Sequence, residues 1–225
     1  MKSIKIVICR YRENVEWSKQ LPNVLIYNKG YELVGKNYNQ FRLKNVGREG
    51  HSIYHYIVEN YDSLDDYTVF CQGNPFDHSP NLIKNLKEYI ENPDLNIDFE
   101  YLSEWIVECK LSGCTIHKID MPFKKVFAHL FGQELCDIFN SEDTTFKFGA
   151  GAQFIVSRDK IRKQPKEFYM KIVKILEYDV NPIEGFVIER FHGIIFLPQK
   201  YILHEEREEA TTNIPFSQDT TTMDS

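Results

Sequence analysis

The chain has 225 residues, 42% hydrophobic, 27% charged and 14% aromatic, with 16 Phe and 13 Tyr. That is enough apolar material to bury a large core, and it excludes a wholly disordered chain, a collagen-like repeat and a coiled coil. Of the net charge of -6, residues 205–225 carry -5 through six acids against Arg207, so the body is near neutral and lacks the basic stripe of a nucleic-acid or anionic-lipid binder.

Residues 3–9 (SIKIVIC) are β-branched and almost continuously apolar, the pattern of a strand covered on both faces. Residues 10–20 are polar except at Val15 and Trp17 and read as a loop running into a short helix. Residues 23–27 (NVLIY) form a second buried strand, stopped by Asn28-Lys29-Gly30. Helical spacing of Ile53, Tyr54, Ile57 and Tyr61 predicts a helix over 49–61, and 68–71 (TVFC) is a third strand ending in Gln72-Gly73-Asn74-Pro75. Ser79 as N-cap and Pro80 at the first helical position open a helix carrying Leu82, Ile83, Leu86 and Ile90. This alternation predicts an α/β sheet with crossover connections and parallel pairing.

Residues 93–143 are turn-rich and polar, contain Trp105 and end in a helix over 122–131. Residues 146–156 (FKFGAGAQFIV) read as one strand interrupted by small residues. Ser157 caps a short helix, Pro165 starts another through Leu176, and Asn181-Pro182 opens the last, with Phe186, Ile188, Phe191 and Ile195 along it. From 205 onward aromatics thin out and Thr, Ser and Asp accumulate. One domain over 1–204 and a disordered acidic tail over 205–225 are expected. The five cysteines (Cys9, Cys71, Cys109, Cys114, Cys136) are odd in number and include no C-x-x-C pair, which predicts reduced, mostly buried thiols. The amino terminus lacks a long apolar stretch, and runs such as 193–198 are far shorter than the roughly 18 residues of a membrane helix. A soluble cytoplasmic protein without a membrane span is expected.

Ligands of open parallel sheets bind beyond the carboxyl ends of the strands, so polar residues there are the first candidates. They are Arg10, Tyr11 and Glu13 after the first strand, Lys29 after the second, and Gln72, Gly73, Asn74, Asp77 and His78 after the third. Ordinary turn chemistry explains Asn, Gly and Pro in such places, but cations at 10 and 29 suit a diphosphate. Asn45-Val46-Gly47-Arg48 leads into a helix amino terminus, whose N–H groups and dipole suit a phosphate, with Arg48 adding a bidentate grip. Neither G-K-[ST] nor G-x-G-x-x-G is present. Asp77 either holds a divalent ion or, in a Pro-centred turn, caps the helix after it. His51 and His55, one helical turn apart, would make a hydrolytic metal site with Asp77 and His78, or else are partly buried histidines with polar partners. Glu189 and His192 share a helix face and are a candidate base and late metal ligand, or a surface pair. Gly149-Ala150-Gly151-Ala152-Gln153 leaves a gap that lets a backbone or ligand approach. Phe146, Phe148 and Phe154 beside it are a sugar platform or core. No G-x-S-x-G elbow appears.

Taken in order, R-Y-x-E (10–13), Y-N-K-G (27–30), N-V-G-R-E-x-H (45–51), F-x-Q-G-N-P-F-D-H (70–78), G-A-G-A-Q-F-x-V-S-R (149–158) and E-R (189–190) resemble a domain-of-unknown-function family of fungi, bacteria and large DNA viruses. The pattern is similar to the amino-terminal glycosyltransferase domain of a chlorella-virus enzyme that decorates the capsid protein, and it covers about residues 4–197. The resemblance implies a GT-A-like fold, a mixed and mostly parallel sheet flanked by helices. It also implies transfer of a sugar from a nucleotide-diphosphate donor, such as a UDP-sugar, to a hydroxyl of a glycan or glycoprotein, with Mn2+ or Mg2+. The host cytoplasm would be the location of a viral member. Carried over by position, Arg10, Tyr11, Glu13, Lys29, Asn45, Arg48, Gln72, Gly73 and Asn74 would surround the nucleotide. The Asn74 to His78 segment, with Asp77 and His78, would occupy the metal-binding position, joined by the late ligand His192 that the helix spacing suggests, and residues 149–153 would face the sugar or acceptor. Glu189, or Asp77 without metal, would be the catalytic carboxylate. Asn74 stands where a carboxylate would chelate more strongly. A metal-dependent hydrolase using His51, His55, Asp77 and His78, and a non-catalytic nucleotide- or glycan-binding module, are the alternatives.

Overall fold

Both faces of the central sheet are covered, which is why its strands carry unbroken apolar runs. The structure is a computed structural model that describes residues 2–35, 37–114 and 119–198. Strands β1 (Ile4–Arg10), β2 (Val24–Asn28), β3 (Gln40–Arg42), β4 (Tyr67–Gln72), β5 (Phe99–Tyr101) and β9 (Phe154–Ser157) form a six-stranded sheet in the order β3-β2-β1-β4-β9-β5. The pairings among β3, β2, β1 and β4 are parallel, whereas β9 runs antiparallel to β4 and to β5. Side chains alternate across the sheet, so Val7, Cys9, Phe70, Phe154 and Val156 enter one core while Ile6, Ile8, Val69, Cys71 and Ile155 enter the other.

Helices α1 (Arg48–Asn60), α6 (Lys166–Leu176) and α7 (Ile183–Phe196) cover the first face, and α2 (Leu82–Glu91) the second. The larger, aromatic core also takes in α3 (Phe123–Phe131), α4 (Gln133–Ser141) and a small antiparallel sheet. That sheet has the order β7-β6-β8 and comprises β6 (Ile106–Lys110), β7 (Gly113–Cys114) and β8 (Phe146–Gly149). A short helix, α5 (Arg158–Ile161), follows β9 with the Ser157 side chain accepting from the Lys160 N–H, as its sequence predicts.

Several expectations are corrected. Residues 146–156 are not one strand: β8 and β9 belong to different sheets, separated by a turn in which Gly151 has φ +88° and Ala152 φ 52°. Ser79 does not cap α2, since its hydroxyl is buried and donates to the Leu102 carbonyl at 2.7 Å, and Asn81 precedes the helix. The helix expected over 122–131 is α3, but the rest of the middle of the chain, read as turn-rich, holds β5, β6, β7 and α4. Cys109 and Cys114 face each other across β6 and β7 and form a disulfide, while Cys9, Cys71 and Cys136 are free and buried. The expected acidic tail lies outside the described residues. No helix among them is long and apolar enough to cross a membrane.

Candidate functional site

From β1 the chain runs outward on one side through β2 and β3 and then crosses by way of α1 to β4 on the other side of β1, so the carboxyl ends of β1 and β4 flank a topological switch point, where a crevice opens. Arg10, Tyr11, Glu13, Lys29, Asn45 and Arg48 converge there on a cavity of about 60 Å³, joined by Cys9, Glu49 and Ser52. A second cavity, of about 190 Å³, is lined by Arg48, Gln72, His78, Trp105, Phe148, Ala150, Gly151, Phe186 and Glu189. Arg48 borders both, and Gln72 Nε2 donates to Glu49 Oε1 at 3.1 Å, so the two form one cleft.

The first end is organised by hydrogen bonds within the protein. Arg10 is 8% exposed and donates to Glu13 O (2.9 Å), Asn28 Oδ1 (2.7 Å), Tyr31 O (2.9 Å) and Tyr11 O (3.3 Å). It shapes the loops, whereas the sequence suggested a cation for a diphosphate. Lys29 donates to the carbonyls of Val46 and Arg48, and burial lowers its pKa to about 8 against the opposing pull of Cys9 and Glu49. Glu13 accepts from the N–H groups of Tyr11 and Arg12 at 2.7 and 3.1 Å. Two glycines permit this closeness: a Cβ on Gly30 would lie 1.5 Å from the Tyr11 carbonyl oxygen, and one on Gly73 2.6 Å from the Glu13 carboxylate. The entry to α1 is less open than expected. Gly47 N–H donates to Asp179 O and Arg48 N–H to Val180 O, so these two groups are spent before any phosphate arrives.

The second end combines aromatic walls with a carboxylate. The Glu189 side chain is 18% exposed, accepts from the Gly151 N–H at 2.9 Å and lies 3.7 Å from Arg190 Nη1. Burial raises its pKa, opposed by Arg190 and by the Gly151 hydrogen bond. Arg190 donates to the Phe186 carbonyl at 2.7 Å and stacks 4.6 Å from the Phe148 ring. The Arg48 guanidinium stands 4.0 Å over the Phe186 ring, 3.6 Å from Glu49, and donates to Asn181 Oδ1 at 3.3 Å. Of the glycine-alanine segment, Ala150 and Gly151 reach the cavity. Gly149 and Gly151 also leave room for side chains: an added Cβ would press at 2.8 Å on the Tyr101 ring and at 2.7 Å on the His78 ring. Ala152 is buried, and buried Gln153 donates to the Pro75 carbonyl at 3.2 Å. Phe146 and Phe154 are core residues, and of the three phenylalanines in that segment Phe148 lines the cavity.

The proposed metal ligands are not brought together. His192 is fully buried, bonded through Nδ1 to the Tyr54 hydroxyl at 2.8 Å and packed 4.6 Å from the Phe154 ring. Burial depresses its pKa to about 3. Asp77 and Asn74 are exposed on the turn after β4, and neither lines the cleft. Among the described residues no group of three or more His, Cys, Asp or Glu could hold a metal ion. Mn2+ or Mg2+ therefore has no cage of the expected side chains here. The hydrolase constellation fails for the same reason: His51 is 5% exposed and, with His55, borders a separate groove between α1 and α6, away from His78.

Sequence reasoning missed Glu49, Trp105 and Phe186 as cleft residues. Glu49 sits in the motif quoted for the resemblance, and Trp105 stands alone in a polar stretch, a signal that was available. Over residues 6–212 the chain matches the family model described as Protein of unknown function (DUF3431). No curated protein and no solved structure matches it.

Proposed function

The chain belongs to this family, Protein of unknown function (DUF3431), and we propose that it is a GT-A-like glycosyltransferase moving a sugar from a nucleotide-diphosphate donor to a hydroxyl acceptor. The observation that carries this reading is the placement of one largely buried carboxylate, Glu189, in a cleft at the switch point of the sheet, with Arg48 bordering both halves of that cleft. A base is needed on one side of the reacting carbon and positive charge on the other. In the reaction Glu189 takes the proton of the acceptor hydroxyl, whose oxygen bonds to the anomeric carbon. The bond from that carbon to the phosphate oxygen breaks, and the diphosphate leaves with the electron pair toward Arg48 and Lys29. The raised pKa of Glu189 makes it a stronger base than a surface carboxylate.

A non-catalytic nucleotide- or glycan-binding module is the second reading, favoured by the engagement of Arg10 and Lys29 with carbonyls of the protein itself. Two measurements separate these. Thermal-shift titration with UDP, GDP, CMP and their sugar conjugates, with and without manganese, should raise the melting temperature with one nucleotide. Glu189→Gln should then lower transfer by orders of magnitude and spare that shift. Turnover by the Gln variant at the normal rate rejects the assigned role, and absence of any nucleotide shift rejects the donor site.

A further inference from the structure

Trp105 is 55% exposed, yet its backbone is held from both sides. Its carbonyl accepts from the Ala150 N–H at 3.0 Å, its own N–H donates to Ser103 Oγ at 3.1 Å, and the preceding Glu104 N–H donates to the His78 carbonyl at 2.8 Å. The indole is thus held by fixed backbone with one part in solvent and another lining the 190 Å³ cavity, an amphipathic ring placed where a ligand would meet it. It is the most exposed of the residues lining the 190 Å³ cavity, and its ring centroid lies 5.7 Å from that of His78. Phe186 and Phe148 add further apolar wall, while Glu189 and Gln72 supply polar groups within the same space.

Flat apolar faces beside a few hydrogen-bonding groups complement a pyranose, which has C–H groups on one face and hydroxyls at its edge. We infer that Trp105 is the stacking platform for the acceptor monosaccharide, holding its ring so that one hydroxyl reaches Glu189. The inference rests on the transferase reading above and adds the acceptor's chemical class and seat. The acceptor is assigned to this end because its cavity, about 190 Å³ against about 60 Å³, is the roomier of the two and has the exposed indole in its wall, while Lys29 lines the other.

The chain has two tryptophans, and the Trp17 indole is tied to the Gly73 carbonyl at 2.9 Å, so fluorotryptophan labelling gives two 19F resonances. Titration of the full chain with a panel of methyl pyranosides should shift the Trp105 resonance saturably. Trp105→Ala should weaken binding of the same glycoside, read by calorimetry, by about tenfold, while Trp105→Phe keeps most of it. A Trp105 signal unmoved by every pyranoside overturns the inference, and so does unchanged affinity in Trp105→Ala. The nucleotide thermal shift, run on the same sample, tells the two failures apart. A nucleotide shift without a pyranoside response sinks the platform alone. A pyranoside response without any nucleotide shift sinks the transferase and leaves a carbohydrate-binding site.

Discussion

The two ends of the cleft are built on opposite plans. At the end formed after β1 and β2, charged side chains are locked by the protein's own hydrogen bonds, with Arg10 spending donors on three carbonyls and one amide oxygen. At the end formed by α7 and the turn between β8 and β9, Glu189 has one backbone N–H as its hydrogen-bond donor and is surrounded by aromatic rings. The first end is stiff and small, and the second is roomier and chemically poised. Charge alone is therefore a poor guide to reactivity here. A fully bonded cation shapes a site, whereas a desolvated carboxylate with few partners stores the basicity that a proton transfer uses.

The largest effect that tests this contrast is on rate. Glu189→Gln should lower transfer by about 10²- to 10⁴-fold, the usual reach of one general base. The same variant should melt no lower than the wild type at pH 7. The folded pKa of Glu189 lies above its ordinary value, so the ionised form costs stability once the pH rises through that pKa, and Gln removes the cost. A variant that loses both activity and stability would show that Glu189 is structural.

At the stiff end the expected effects are on folding. Gly30→Ala places a Cβ 1.5 Å from the Tyr11 carbonyl and should destabilise the protein by about 3 kcal/mol in urea titration. A loss near zero would mean the loop after β2 yields easily and the end is not rigid.

The acid response should come from neither end but from the core beneath. Burial holds His192 at about 3 and His51 at about 4, against an ordinary 6.5. The unfolded chain takes up protons below 6.5 that the folded chain refuses, so stability is lost as the pH falls from 6.5 toward 4. Each histidine contributes a slope of up to about 1.4 kcal/mol per pH unit. His192→Gln should remove one histidine's share of that slope in denaturation curves taken across the window, leaving the shares of His51 and of His55, whose pKa burial also lowers. An unchanged slope would show that other groups drive acid unfolding.

The smallest effect belongs to Trp105→Ala, which should change stability by less than about 1 kcal/mol because the indole is more than half exposed. A larger loss would make Trp105 part of the packing and remove the contrast between the two ends.

Much of the sheet was legible because local pattern and tertiary burial agree there. The runs at 3–9, 23–27 and 68–71 are apolar on both faces, and they became β1, β2 and β4 with helices on both sides. Strands β3 and β5 have three residues each, too short for a period, and no sequence pattern announced them. The break between β8 and β9 was misread because Gly-Ala-Gly-Ala fits a small-residue strand and a turn equally well, and the choice fell to the His78 and Tyr101 rings packed against the glycines. The Cys109–Cys114 pair escaped the spacing argument because a short hairpin, not a C-x-x-C turn, joins the two residues.

By itself the sequence determined which residues follow strand ends, and hence that Arg10, Lys29 and Gln72 lie along one edge of a parallel sheet. That inference needs only the alternation of apolar runs and polar breaks. The tertiary structure decided what each of them does there. Helix α7 is buried along most of its length, so its sequence carries no polar face to say which side meets the cleft. Its docking against β8 and among α1, α6 and α3 turned Glu189 toward Gly151 and His192, three residues on, into the Tyr54 and Phe154 core. Two neighbours on one helix thereby received opposite fates, because desolvation and hydrogen bonding are set by what packs against a side chain rather than by its place in the chain.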